Sequence, residues 1–146
     1  MPATTRRSLV MTVFGVLGTL WFALHAAEYV YARYDALQAR LPLPDPLGLS
    51  EVFAAMPQWA AISMTAAIWL GLLGSVLLLL RDAAAVLILS LTLIATLPVV
   101  IWAAIAFFAG LAFVGGVNLL LFAGGQVAVA FGLWLYARTA KRYGMF

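Results

Sequence analysis

Long apolar runs are the feature that most constrains how this chain can fold. Four such runs, of about 20 residues each, recur in a chain of 146 residues, and an apolar helix of about that length can cross a bilayer. Charged residues make up 9% of the chain, against about 25% in soluble domains. The sequence therefore predicts a polytopic membrane protein, with no room for a separate domain outside the membrane.

The predicted fold is all-α: a single domain over residues 1–146 that forms an antiparallel bundle of four transmembrane helices. Proline and capping residues set the predicted helix ends, because the residue before a proline is pushed out of the helical region and Ser or Asp favours a helix start. The predicted helices cover residues 8–34, 59–80, 83–106 and 116–137, and an extended proline-rich external loop covers residues 41–58.

The distribution of basic residues predicts which side of the membrane holds the chain ends. Cytoplasmic loops of membrane proteins carry an excess of lysine and arginine. Here six basic residues fall on the side of the two termini and two fall on the opposite side. The six are Arg6, Arg7, Arg81, Arg138, Lys141 and Arg142, and the two are Arg33 and Arg40. Both termini are therefore predicted to be cytoplasmic.

The polar residues of the chain argue against an enzyme or a cofactor protein. The chain has no cysteine and one histidine, so it lacks thiolate ligands and cannot supply two axial histidines to a haem. The sequence contains no phosphate-binding loop, catalytic triad, zinc signature or dinucleotide fingerprint. We therefore expect no catalytic residue, no metal site and no cofactor. The net charge of +3 comes from basic residues at helix ends, which indicates contact with the lipid bilayer and no nucleic-acid binding.

His25 and Glu28 are the ionisable residues predicted to lie within the first span. They are three positions apart, so they are neighbours on one helical face. A carboxylate at the bilayer centre costs on the order of 2.5–3.5 kcal/mol by insertion scales, and less near the head groups. One interpretation is a substrate or proton path, with Glu28 as acceptor and His25 as relay. The other is a hydrogen-bonded pair that tethers the first helix to the interface or to a partner.

Small residues repeat every four positions on three of the predicted helices, a spacing that lets another backbone approach closely. The predicted helix-packing positions are Gly15, Thr19, Ala23, Ala67, Gly71, Ser75, Gly124, Ala128 and Gly132. Two amide side chains, Asn118 and Gln126, interrupt the last apolar run. Such amides favour hydrogen bonds between helices, although lining a polar cavity or binding a lipid head group is an alternative.

Three segments carry a resemblance to known sequences: Pro57-Gln58-Trp59, residues 71–81 (GLLGSVLLLLR) and residues 135–144 (LYARTAKRYG). In these segments the chain resembles a group of small four-helix proteobacterial inner-membrane proteins that are labelled hypothetical protein or sugar transporter. The resemblance implies a multi-pass protein of the bacterial inner membrane. The matched residues serve packing and topology, so the resemblance carries over no functional residue.

The sequence thus favours a non-catalytic accessory or structural subunit of the inner membrane. Such a protein would act by helix packing, with another membrane protein or as a homo-oligomer. This function is favoured because the chain has more small-residue faces than a four-helix bundle uses internally. The alternative is a small oligomeric transporter of a small solute, with His25 and Glu28 near its path. A third possibility is a quinone- or haem-linked redox protein, which an absorbance band of the purified protein would reveal.

Overall fold

The computed structural model describes residues 3–34, 40 and 47–146, with side chains from residue 9 onward. In this structure the chain is almost entirely helical. Its elements in chain order are α1 (Ala3–Arg33), α2 (Ser50–Ala55), α3 (Gln58–Leu79), α4 (Ala84–Phe108), β1 (Phe113–Val114), β2 (Val117–Asn118) and α5 (Leu119–Arg142). The prediction of an all-α chain with four long apolar helices is confirmed.

The helices α1, α3, α4 and α5 are long and apolar enough to cross a membrane. Their candidate spans contain 22 to 25 residues, and at 1.5 Å per residue a helix of that size is about 33–38 Å long. The hydrocarbon core of a bilayer is about 30 Å thick. Mean hydropathy is 1.8 in the first and last spans and reaches 2.6 in α4. Neither α3 nor α4 contains a charged residue.

The long helices pack in chain order around the bundle. α1 packs on α3, α3 on α4, and α4 on α5, whereas the backbones of α1 and α5 approach closely at few points. Side chains fill the space between α1 and α5. The rings of Phe14 and Tyr136 stack with their centroids 4.4 Å apart, and His25 contacts Gln126. Residue numbers rise along α1 as they fall along α5, so these two helices run antiparallel.

The short helix α2 closes one end of the bundle, which we call the loop end because it also carries the β1–β2 hairpin. Val52 and Phe53 are fully buried, and Met56 is 4% exposed. A short helix therefore lies within the segment predicted as an external loop, residues 41–58, and it buries these apolar side chains between the long helices. Residues 41–46, the proline-rich part of the predicted loop, lie outside the described residues.

The connection between α4 and α5 also differs from the prediction. Gly115 and Gly116 have φ angles of +56° and +79°, left-handed conformations that glycine adopts readily and an α-helix does not contain. These glycines form the turn of the antiparallel β1–β2 hairpin. The last helix therefore begins at Leu119, after the predicted start near Gly116, and it continues beyond residue 137 to Arg142.

A tight turn joins α3 to α4. Arg81 adopts a positive φ of 59° in this turn, and the Asp82 carboxylate accepts a hydrogen bond of 2.8 Å from the backbone N–H of Ala84. A carboxylate at this position satisfies one of the N–H groups that a helix start leaves unpaired. The two helices therefore form an antiparallel hairpin with almost no connecting loop.

Candidate functional site

His25 is the centre of the polar contacts inside the bundle. His25 is 2% exposed, and Gln126 on α5 is 4% exposed. His25 Nδ1 lies 2.7 Å from the carbonyl oxygen of Trp21, and Nε2 lies 2.8 Å from the amide nitrogen of Gln126. Because a carbonyl oxygen only accepts, Nδ1 carries the proton and Nε2 accepts from the Gln126 amide. A neutral imidazole thus joins α1 to α5 through a buried hydrogen bond.

The structure separates His25 from Glu28 as hydrogen-bonding partners. Both ring nitrogens of His25 are occupied, while Glu28 Oε1 accepts a hydrogen bond of 2.7 Å from the backbone N–H of Leu47. The two predicted residues therefore do not bond to each other: His25 ties α1 to α5, and Glu28 ties α1 to the segment before α2. A proton relay between His25 and Glu28 would require an imidazole nitrogen that does not already take part in another hydrogen bond.

Aromatic rings surround the imidazole. The Trp21 ring lies tilted beside it, with centroids 4.5 Å apart, and Phe53 of α2 meets it edge-on at 6.4 Å. Phe53 also meets Phe122 of α5 edge-on, with centroids 5.9 Å apart. Edge-on arrangements of aromatic rings are favourable. The insertion of α2 therefore completes the apolar wall around His25.

A second polar link, which the sequence did not predict, joins α1 to α3. The Tyr29 hydroxyl donates a hydrogen bond of 3.0 Å to the carbonyl oxygen of Ala61. The Thr65 hydroxyl, 2.6 Å from the Tyr29 oxygen, donates to it. A tyrosine near the end of a span is typical of the aromatic belt of a membrane protein. Because the aromatic belt already accounts for a tyrosine at this position, nothing in the sequence indicates that Tyr29 bonds to another helix.

A cleft of about 210 Å³ opens at the loop end beside the His25–Gln126 contact, and we call it the α1–α5 cleft. It is an open cleft, and Leu121 beside it is 76% exposed. None of the described residues that line it is charged. The lining residues are Trp21, His25, Leu47, Leu49, Val117, Leu121, Phe122, Gly125 and Gln126. The cleft is therefore mostly apolar, with the imidazole and amide as its main polar groups.

One set of the predicted packing positions lies between α1 and α3. Ala67, Gly71 and Ser75 are buried on α3, and Gly15 is buried on α1. A methyl group added at Gly71 would overlap the ring of Phe22. The close approach at Gly71 therefore admits an aromatic ring from α1, whereas the small-residue spacing predicts the approach of a backbone.

A second set of predicted packing positions points away from the bundle. Gly124, Ala128 and Gly132 form an outward strip on α5, which we call the α5 glycine face. Apart from its own stretch of helix, a Cβ atom built at Gly124 or Gly132 has no described atom within 4 Å, and Ala128 is exposed. On α1, Ala23 is exposed and Thr19 is half-buried. The described part of the chain thus leaves these small residues of α5 without a packing partner.

Asn118 caps a helix, so the prediction that it bonds between helices is wrong. Its side-chain oxygen accepts hydrogen bonds of 3.0 and 3.2 Å from the backbone N–H groups of Leu120 and Leu121. The first N–H groups of a helix have no partner within the helix, and asparagine is a preferred residue to satisfy them. Asn118 takes this role because α5 begins at the next residue.

The described residues contain no group of three His, Cys, Asp or Glu side chains placed to hold a metal ion. Comparisons of the chain with protein-family models, with curated proteins and with solved structures find no match. The function of the protein must therefore be inferred from the arrangement of its own side chains.

Proposed function

We propose that this protein is a non-catalytic accessory or structural subunit of the bacterial inner membrane, which packs its α5 glycine face against a transmembrane helix of another subunit. One observation carries the proposal: the glycines of α1 and α3 are packed against neighbouring helices, whereas a Cβ added at Gly124 or Gly132 on α5 meets no described atom within 4 Å apart from its own stretch of helix.

The contrast between the two groups of glycines is sharp. An added methyl group at Gly15, Gly18 or Gly74 would overlap a side chain of a neighbouring helix. At Gly124 and Gly132, no side chain of the described residues is placed to be overlapped in this way. A glycine inside a helix is less favourable than alanine by about 1 kcal/mol, and lipid tails do not compensate for this. Close approach by a second helix would compensate, because small residues four apart permit it.

Large side chains border the α5 glycine face. Phe131 and Leu135 on the same helix are 46% and 45% exposed. A strip of small residues beside a ridge of large ones is the surface into which the ridge of a second helix packs. The shape of this surface therefore supports packing with another helix.

The remaining parts of the proposal rest on hydropathy and charge. Four apolar helices are compatible with an integral membrane protein. The excess of basic residues on the side of the termini supports cytoplasmic chain ends, and the resemblance to small proteobacterial membrane proteins supports the inner membrane. The packing partner is a second copy, which would present the same face across a two-fold axis, or a helix of a larger complex.

The association state in mild detergent tests this proposal. We expect native mass spectrometry to show a dimer or a complex of fixed stoichiometry. Ala128→Leu adds bulk to an exposed position and is expected to weaken association by roughly tenfold or more, which corresponds to about 1.4 kcal/mol. Because Ala128 faces outward, the stability of the monomer should change little.

Ile94→Phe is the matched control, since Ile94 is 61% exposed on α4 and lies outside the α5 glycine face. It should leave association unchanged. A protein that is monomeric and free of stoichiometric partners would contradict the proposal, and so would an equal loss of association in Ile94→Phe and Ala128→Leu.

A further inference from the structure

We infer that the α1–α5 cleft binds a neutral, lipid-soluble molecule whose oxygen-bearing ring meets the Gln126 amide, as the ring of a quinone or of a phenol would. This inference does not rest on the packing function, because Gln126, His25 and Trp21, which carry it, do not belong to the α5 glycine face.

The amide of Gln126 has unused hydrogen-bonding capacity. A primary amide offers two N–H donors and two acceptor lone pairs. Among the described residues, the structure shows one hydrogen bond for Gln126, from its amide nitrogen to His25. Gln126 is 4% exposed and lines the cleft. The amide oxygen has no hydrogen-bond partner among the described residues and is not enclosed by them, so it is available to a donor in the cleft.

Trp21 lies beside Gln126 and contributes its ring to the cleft. The Trp21 ring also packs against His25, with centroids 4.5 Å apart. Its indole Nε1 is enclosed by the protein and has no hydrogen-bond partner among the described residues. The wall of the cleft thus offers an aromatic ring next to the spare capacity of the Gln126 amide.

The lining of the cleft excludes charged and sugar-like ligands. The described side chains that line it carry no charge, so none of them would pair with a phosphate, carboxylate or ammonium group. Both nitrogens of His25 are already engaged, which leaves Gln126 as the main polar contact. A sugar would bring several hydroxyl groups and leave most of them unpaired. The ligand must therefore be neutral and largely apolar.

The size of the cleft suits a substituted ring. A cavity of about 150 Å³ holds benzene in another protein, so the volume of about 210 Å³ found here has room for a ring with small substituents. The aromatic side chains of Trp21 and Phe122 line it, and flat rings pack well against such walls. The open side, beside the exposed Leu121, would let an apolar tail pass into the bilayer.

The Gln126 amide can form a hydrogen bond with either kind of ring oxygen, a carbonyl or a hydroxyl. A quinone carbonyl would accept from the second N–H of the amide, and a phenol hydroxyl would donate to the amide oxygen. The shared chemistry is a neutral oxygen on a six-membered ring with an apolar tail.

Nuclear magnetic resonance of the ¹⁵N-labelled full chain in lipid nanodiscs tests this inference. Three probes carry the same ten-carbon tail, on a benzoquinone, a phenol and a benzene ring. We expect saturable shifts of the Trp21 indole and Gln126 side-chain signals with the benzoquinone or the phenol, and which of the two binds identifies the oxygen group. Trp21→Phe and Gln126→Leu assign the two signals.

Gly125→Leu separates binding from folding. A Cβ atom added at Gly125 meets no described atom within 4 Å apart from its own stretch of helix, and Gly125 lines the cleft, so a leucine there adds bulk to the cleft. We expect it to weaken probe binding by about tenfold or more. Ala27→Leu adds similar bulk at an exposed position of α1 that does not line the cleft, and it should bind normally.

Three results would overturn the inference: no saturable shift with either oxygen-bearing probe, equal binding of the benzene probe, or full-strength binding by Gly125→Leu. The packing function would survive each of these results, because it is measured by association and not by probe binding.

Discussion

The Glu28 carboxylate fixes the backbone of Leu47, just ahead of α2. Glu28, 4% exposed on α1, accepts a hydrogen bond of 2.7 Å from the backbone N–H of Leu47. Hydrogen bonds to charged groups contribute about 1.5–3 kcal/mol, and about 1.4 kcal/mol corresponds to a tenfold change in an equilibrium. We therefore predict that Glu28→Ala accelerates hydrogen exchange of the Leu47 amide by roughly tenfold or more, as measured by nuclear magnetic resonance.

Glu28→Gln is the matched control, because its amide oxygen still accepts from the Leu47 N–H and the acceleration should be smaller. The Leu119 amide, which bonds to the carbonyl oxygen of Ala112 at 3.0 Å, should exchange at its native rate in both variants. Native exchange of Leu47 in Glu28→Ala would show that the carboxylate does not hold this segment.

At the scale of whole helices, we predict that the same substitution at two different glycines has opposite effects on the free energy of unfolding. Gly71 on α3 faces the buried ring of Phe22, which is 1% exposed, whereas Gly124 on α5 faces open space. Overpacking a core typically costs 1–3 kcal/mol. Gly71→Ala should therefore lower the free energy of unfolding by about that amount. Gly124→Ala should leave it unchanged or raise it by up to about 1 kcal/mol, because alanine is the better helix former.

Unfolding of the purified monomer in mixed micelles measures both variants under the same conditions. Testing the monomer matters, because association through the α5 glycine face would add its own effect to Gly124→Ala. If both substitutions destabilised the monomer equally, the division of the glycines into inward and outward sets would be wrong.

At the scale of the whole molecule, the absence of cysteine from the sequence makes the proposed orientation directly measurable. Ala54 in α2 and Thr139 near the end of α5 are both exposed and lie at opposite ends of the bundle. In spheroplasts, a membrane-impermeant maleimide should label Ala54→Cys at once. Thr139→Cys should be labelled only after the membrane is permeabilised, because positively charged ends remain in the cytoplasm.

The cysteine-free native chain gives the background of this experiment. Immediate labelling of Thr139→Cys in intact spheroplasts, with Ala54→Cys protected, would reverse the proposed orientation. Labelling of both positions would show that the chain does not cross the membrane as a four-span bundle.

The sequence by itself determined the number and approximate extent of the long helices. Length and hydropathy are local properties, so an apolar run of about 20 residues is recognisable without knowledge of its neighbours. The exception lies at Gly115 and Gly116, where two positive φ angles make a hairpin and delay the start of α5. Glycine permits such angles without requiring them, and so the sequence alone placed that helix start too early.

The tertiary structure alone decided which side chains meet. His25 and Gln126 are 101 positions apart in sequence, and Asn118 turned out to cap its own helix. The physical reason is that the sequence of an apolar helix contains little information on how that helix is rotated about its own axis in the bundle. The helices α3 and α4, for example, contain no charged residue to mark an outer face. Packing sets that rotation, and with it the cleft beside His25 and the outward position of the α5 glycine face.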